Sequence, residues 1–194
     1  MSSPEAVVPE SRERIRSAAL ALFASQGVGA TSLREVAREA GVTPGLVGHH
    51  FGSKAGLHTA VDDHVVALFR DALESVPLEG VPEEVVAARD RAITRMLEDH
   101  PDALGYLRRA VLTPEPGVGH LARGLVEETI RQATQLRERG IARSRYPVAE
   151  QAVAELVRQL GNRMFQPMLD HLWKVAGAET TPPTVRVGFR RDGD

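Results

Sequence analysis

The sequence predicts an all-α fold, with a small three-helix unit at the N-terminus and a larger helical domain after it. Three observations predict it. Apolar residues recur at i, i+3 and i+4 along most of the chain, the repeat of one buried helix face. Hydroxyl residues or proline stand where these stretches start and glycine where they stop, which is helix-cap chemistry. The 194-residue chain is 42% hydrophobic but only 4% aromatic, so Leu, Val and Ala must fill the core, and Leu and Ala are strong helix formers.

Residues 1–9 carry no periodicity and read as a disordered arm. From residue 10 to 25, Ile15, Ala18, Ala19, Leu22 and Phe23 form one stripe, and Gln26-Gly27 ends that first helix. Ser32-Leu33-Arg34-Glu35 matches a capping box opening a second helix, with Val36, Ala37 and Ala40 on its apolar side. Gly41 then supplies a sharp turn. Thr43 can cap a third helix, Pro44 sits where its missing N–H costs nothing, and Phe51-Gly52 closes it. Ser53 can cap a fourth helix from Lys54 to about residue 75, with Leu57, Val61, Val65, Leu68 and Ala72 inward.

Residues 76–81, holding Pro77 and Gly80, are the best candidate boundary. Pro82 opens a helix to about residue 99, with Val85, Val86, Ile93 and Leu97 as core candidates. Pro101 or Asp102 opens a shorter one through Leu112, and Thr113-Pro114-Glu115-Pro116-Gly117 breaks the pattern. Residues 118–139 carry Leu121, Leu125, Ile130, Ala133 and Leu136, and Gly140 stops that helix. Pro147 opens a last long helix to about residue 175, with Val153, Leu156, Val157, Leu160, Met164, Met168 and Leu172 as its apolar residues. Pro167 should kink it or end its first half. Residues 177–194 read as a flexible tail, in which Val185-Arg186-Val187 is too short for a strand.

The totals bound function. Without cysteine there is no disulfide and no thiolate metal site. The net charge of −2 points to no polyanionic partner, yet residues 10–54 hold six cations against four anions, a local +2. Any nucleic-acid affinity must therefore come from a local patch and fall with salt. No signal peptide and no membrane-length apolar run is visible, so the expected location is cytoplasmic.

Residues 32–57 carry the most information. Two short capped helices meet at a glycine turn, with the small Ala37 where the helices cross and Val36, Val42 and Val47 where apolar residues must pack the pair. That is the build of a helix-turn-helix DNA reader, although a generic helical hairpin shares the spacing.

The residues then resemble one family. Ala40-Gly41-Val42-Thr43-Pro44-Gly45, His49-His50-Phe51-Gly52-Ser53-Lys54 and Leu57, with Ala19, Leu22, Phe23, Gly27 and Thr31-Ser32-Leu33 upstream, look like the DNA-binding domain of the TetR family of transcriptional regulators. The resemblance implies a helix-turn-helix DNA-binding domain at residues 10–55 and a helical ligand-binding and dimerisation domain at 56–176. It implies that the third helix enters the major groove, with Thr43, Pro44 and Gly45 facing bases and adjacent phosphates. His49, Lys54, Thr31 and Ser32 would hold phosphates, and Arg34 could add a contact or else form a solvated face with Arg38, Glu35 and Glu39. Gly48 departs from the family, which usually has tyrosine there. It removes a phosphate contact and weakens a short helix by about 1 kcal/mol relative to alanine.

The resemblance further implies a homodimer through the last two long helices, where Gly161 would allow close approach, and a cavity for an unknown small-molecule effector. Phe69, Met96, Tyr106, Arg109, Phe165 and Met168 are candidates for contacting the effector, each with plain packing or surface exposure as the alternative. His58 and Asp62 share a helix face, but no metal-ligand set, catalytic motif or cofactor fingerprint accompanies them. The expected function is a repressor that binds a double-stranded palindromic operator and is released by its effector. The rivals are an activator without a ligand, and a helical binding module that has lost DNA binding.

Overall fold

A computed structural model describes residues 4–112, 118–142 and 144–188, so the predicted breaker at 113–117 lies outside the described residues. Regular structure among the described residues is entirely helical: α1 (Pro4–Gln26), α2 (Leu33–Glu39), α3 (Pro44–Phe51), α4 (Lys54–Glu74), α5 (Pro82–Asp99), α6 (Pro101–Leu112), α7 (Val118–Glu138) and α8 (Val148–Val175). The chain divides into two compact units, Met1–Val76 with Arg91–Gly124, and Pro77–Asp90 with Leu125–Asp194. This partition runs through α5 and α7, unlike the functional division after residue 55 expected from the sequence.

The expected disordered arm is corrected from Pro4 onward, where α1 already begins. Proline is well placed at a first helical position, and Pro9 forfeits one bond of the ladder without ending the helix. In the first unit, α1 packs most extensively on α6 and also meets α4, α2 and α3. Ile15, Ala19 and Phe23 of α1 are fully buried, as are Val36, Val47, Leu57, Val61 and Val65. On α4 the buried face runs through Phe69 and Leu73, leaving the predicted Leu68 and Ala72 only half-buried. The same face buries two ionisable side chains, His58 and Asp62.

In the second unit a polar cluster takes core positions. Arg89 of α5 is buried and donates to Gln132 of α7, while the predicted core residue Val86 is exposed. Glu128, buried beside Gln132, accepts from Gln132 Nε2 at 2.7 Å and from Arg131 at 2.6 Å. Arg158 of α8 donates to Asp90 at 2.8 Å and to Glu155 at 2.6 Å, and these carboxylates raise its pKa above the ordinary guanidinium value. Arg137 ties α7 to the start of α8 through the Tyr146 carbonyl and Gln151.

Helix α8 continues through Pro167, so the expected end of a first half there does not occur. Ala152, Leu160 and Gly161 are buried, whereas Phe165, Met168, Leu172 and Val175 are exposed. Residues 178–188 form no helix or strand, and backbone groups of Thr180, Pro183, Val185 and Val187 hydrogen-bond side chains of α8. At Gly161 the close neighbour is Val187 of the same chain.

Candidate nucleic-acid interface

The interface is built from the junctions of α1 to α4. Ser32 caps α2 in a complete capping box: its hydroxyl accepts from the Glu35 N–H at 3.2 Å, and its own N–H donates to Glu35 Oε2 at 2.7 Å. That backbone donation, with the Ser32 side chain next, holds the Glu35 carboxyl below the usual carboxylate range. Gly41 adopts φ +65° between α2 and α3, the left-handed geometry that a side chain would strain. Ala37 is buried where the two helices meet, as its small size predicts.

At the start of α3, Thr43 Oγ1 accepts from the Leu46 N–H at 3.4 Å and Pro44 occupies the first turn. Thr43, Pro44, Gly45 and His49 are all exposed, while Val47 and Phe51 on the opposite side are buried. The helix thus presents a face with little side-chain bulk. A Cβ on Gly45 or Gly48 would meet nothing within 4 Å. Arg34 and Arg38 are exposed on α2. The Arg12 guanidinium of α1 lies over the Phe51 ring, 5.3 Å from its centroid, which fixes one end of α3 to α1. His50 is half-buried, its ring 6.2 Å from that of Phe51, in accord with a packing role.

Two predicted phosphate contacts read differently in the structure. Thr31 is buried, and its hydroxyl donates to the Gly27 carbonyl at 2.8 Å while accepting from Gln26 Nε2 at 3.2 Å. It serves the α1–α2 turn, and its side chain does not face outward. Lys54 is half-buried and donates to the Gly29 carbonyl at 3.0 Å, so it ties the start of α4 to that same turn.

Residues 15–61 match the family model of "Bacterial regulatory proteins, tetR family". The HTH-type transcriptional repressor Rv3405c of Mycobacterium tuberculosis is 31% identical over 166 residues, 84% of this chain and 79% of that protein. The chain belongs to the tetR family. A second relative, the HTH-type transcriptional regulatory protein RaaS of Mycobacterium tuberculosis, is 33% identical over 128 residues; the match covers 66% of this chain and only 56% of RaaS. Among solved structures, a tetR family transcription regulator from Shewanella sp. PV-4 shares the fold, with a TM-score of 0.68 and 24% identity over 86% of this chain and 90% of that one. The chain is therefore a helix-turn-helix transcriptional regulator of the tetR family, whose members bind DNA and small-molecule effectors and act as dimers.

For a tetR family chain, the predicted effector contacts fall into separate places. Phe69, Met96 and Tyr106 are buried in the first unit, while Phe165 and Met168 are exposed in the second. The Tyr106 hydroxyl is already engaged: it donates to Asp62 Oδ1 at 2.5 Å and lies 2.7 Å from His58 Nε2. Burial raises the Asp62 pKa, opposed by the Tyr106 hydrogen bond and by His58. Arg109 is engaged too, donating to the carbonyls of Ala24 at 3.4 Å and Ser25 at 2.8 Å, where it closes the C-terminal end of α1. Sequence reasoning placed His58 and Asp62 on one face but missed Tyr106 as their partner, and missed Arg12 over Phe51. Helical spacing carries no signal for either pairing. Among the described residues no group of three or more His, Asp or Glu could hold a metal ion, and no helix is long and apolar enough to cross a membrane.

Proposed function

We propose that the protein is a cytoplasmic repressor that binds a palindromic operator as a homodimer and is released by a small-molecule effector. The observation that carries this reading is the capped, exposed N-terminal turn of α3, Thr43-Pro44-Gly45, with the apolar side of the helix buried against its neighbours. A helix N-terminus with free N–H groups attracts phosphate, and Gly45 permits close backbone approach. Pro44 can touch a thymine methyl but cannot hydrogen-bond a base edge. Ser32, Arg34, His49 and Lys54 hold the adjacent phosphates, Lys54 exchanging its bond to Gly29 for one to DNA.

A single such unit binds weakly. Two copies separated by one helical turn, roughly 34 Å, read two half-sites. The self-association face is α7 with α8, where Phe165, Met168, Leu172 and Val175 recur at helical spacing and are exposed. Phe165 and Met168 are better assigned there than to the effector. Within residues 56–176 the effector acts on the helices that hold α1 and α4, with Phe69 and Met96 as its remaining candidate contacts.

Fluorescence anisotropy of genomic duplex fragments, followed by footprinting of those retained, tests the reading. It expects a discrete palindrome overlapping a promoter, affinity falling steeply with salt, and a solution mass of two chains. A monomer in solution, or no retention even in dilute buffer, rejects it. Retention of every fragment alike would favour a non-specific DNA binder.

A further inference from the structure

Helix α8 has a defect and a cover in the same place. Pro167 has no N–H, so the hydrogen bond it would give to the Arg163 carbonyl is missing from the helix ladder. Residues 180–187 lie against α8 on both sides of that gap. Trp173 Nε1 donates to the Thr180 carbonyl at 2.8 Å. Gln166 Nε2 donates to the Pro183 carbonyl at 3.1 Å, and Gln166 Oε1 accepts from the Val185 N–H at 2.6 Å. Asn162 Oδ1 accepts from the Val187 N–H at 2.7 Å.

The register is what makes this a fitted seat. Val185 and Val187 are two residues apart on an extended chain, a rise of about 6.6 Å. Their acceptors Gln166 and Asn162 are four apart on a helix, a rise of about 6.0 Å. The two repeats match, so successive inward N–H groups of the extended segment meet successive amide side chains one helical turn apart. Val185 and Val187 are half-buried, while Thr184, Arg186 and Gly188 are exposed, the alternation of a strand with one covered face. Val187 then sits on Gly161. A Cβ built on that glycine would lie 2.9 Å from the Val187 Cβ, too close for any other residue without displacement.

We infer that residues 180–187 are a strap that splints α8 across Pro167, with Gly161, Asn162, Gln166 and Trp173 as its seat. Asn162 and Gln166 hold the strap before Pro167 and the Trp173 indole holds it after, so the strap bridges the two turns through side-chain hydrogen bonds. The glycine notch is used within the chain, filled by Val187.

Two full-length variants test this. Gly161→Leu evicts Val187 by bulk, and Gln166→Ala removes two of the four anchoring hydrogen bonds while placing a better helix former in α8. Trp173 is the only tryptophan in the chain, so its emission reports on the strap directly. In the native protein the Val185 and Val187 amides should be protected from hydrogen exchange. In both variants that protection should be lost, Trp173 emission should shift to the red, and amides of residues 163–171 should exchange about ten-fold faster while those of 150–158 stay unchanged. Native Val185 and Val187 amides exchanging at the rate of unstructured chain would overturn the strap. Loss of the strap without faster exchange at 163–171, or with faster exchange along all of α8, would overturn the splint.

Discussion

Replacing Tyr106 by phenylalanine removes one oxygen from the core of the first unit and takes a hydrogen-bond partner from two buried groups. Asp62, 1% exposed, loses the hydroxyl that donates to it at 2.5 Å, and His58, 7% exposed, loses its contact at 2.7 Å. A buried polar group stripped of its hydrogen bond costs about 1–3 kcal/mol, and more when charged. The two groups stand 3.7 Å apart and can close on each other, recovering part of that loss. The net cost of Tyr106→Phe should be about 2 kcal/mol near pH 8. It should depend on pH. Burial raises the Asp62 pKa, so the folded state holds this proton more tightly than the unfolded chain does. Its contribution to stability therefore falls as pH rises from the ordinary carboxylate range, about 4, through the raised folded value. The Tyr106 hydrogen bond opposes that rise, so its loss moves the folded value further up and widens the gap between variant and native protein as pH increases. Urea unfolding followed by circular dichroism at pH 5 and pH 8, at one protein concentration, measures both quantities. A gap below about 0.5 kcal/mol at pH 8, or one that is the same at both pH values, would refute the argument. In an Asp62→Asn background the hydroxyl should matter less and the pH dependence should vanish, which a double-mutant cycle reads directly.

Lys54→Ala should weaken binding to all duplexes alike and reduce the salt slope by about 1, measured as log affinity against log salt; an unchanged slope would remove Lys54 from the phosphate contacts. Gly48→Tyr should tighten operator binding, because a Cβ there meets nothing within 4 Å and a phenol can offer a phosphate contact that glycine cannot; weaker binding by anisotropy would show that the bare face is needed. Ser32→Ala dismantles the capping box and should cost about 1 kcal/mol in unfolding stability, with Ser32→Asp losing less. Arg109→Met should loosen the end of α1 and speed amide exchange of residues 22–28, while leaving α8 untouched.

Most of the fold was legible because helices declare themselves locally. Ser32, Thr43 and Ser53 each cap as their positions predict, and Pro82 and Pro101 open their helices. What was illegible depends on partners distant in sequence. His58 and Asp62 look like interruptions of an apolar stripe until Tyr106, 48 and 44 residues on, is placed between them. Nothing local marks Arg89 for burial until Gln132 and Glu128 are brought to it, while the expected core residue Val86 is exposed. Thr31 belongs to the family motif, yet its hydroxyl turns inward to Gly27. The tail showed only two valines at period two. Its meaning lies in the amides of α8 that match that period, a relation no single segment displays.

These distant pairings share a direction within the first unit. α1 is held at two points. Arg12 lies over Phe51 and so grips the end of α3. Near its C-terminal end α6 grips α1: Arg109 takes its last carbonyls, and Gly105 brings α6 so close that a Cβ there would lie 3.3 Å from Ala24. Tyr106 of α6 packs 6.4 Å from the Phe23 ring while its hydroxyl holds α4 through Asp62 and His58. A displacement of α6 therefore cannot leave α1 or α4 behind without breaking charged or buried hydrogen bonds, each worth about 1–3 kcal/mol. Coupling of that size lies within the range of a typical allosteric free energy. An effector that moves α6 would thus carry α1, and with it the end of α3, and the same Tyr106 that tests the stability of this unit becomes the residue whose loss should uncouple effector from operator.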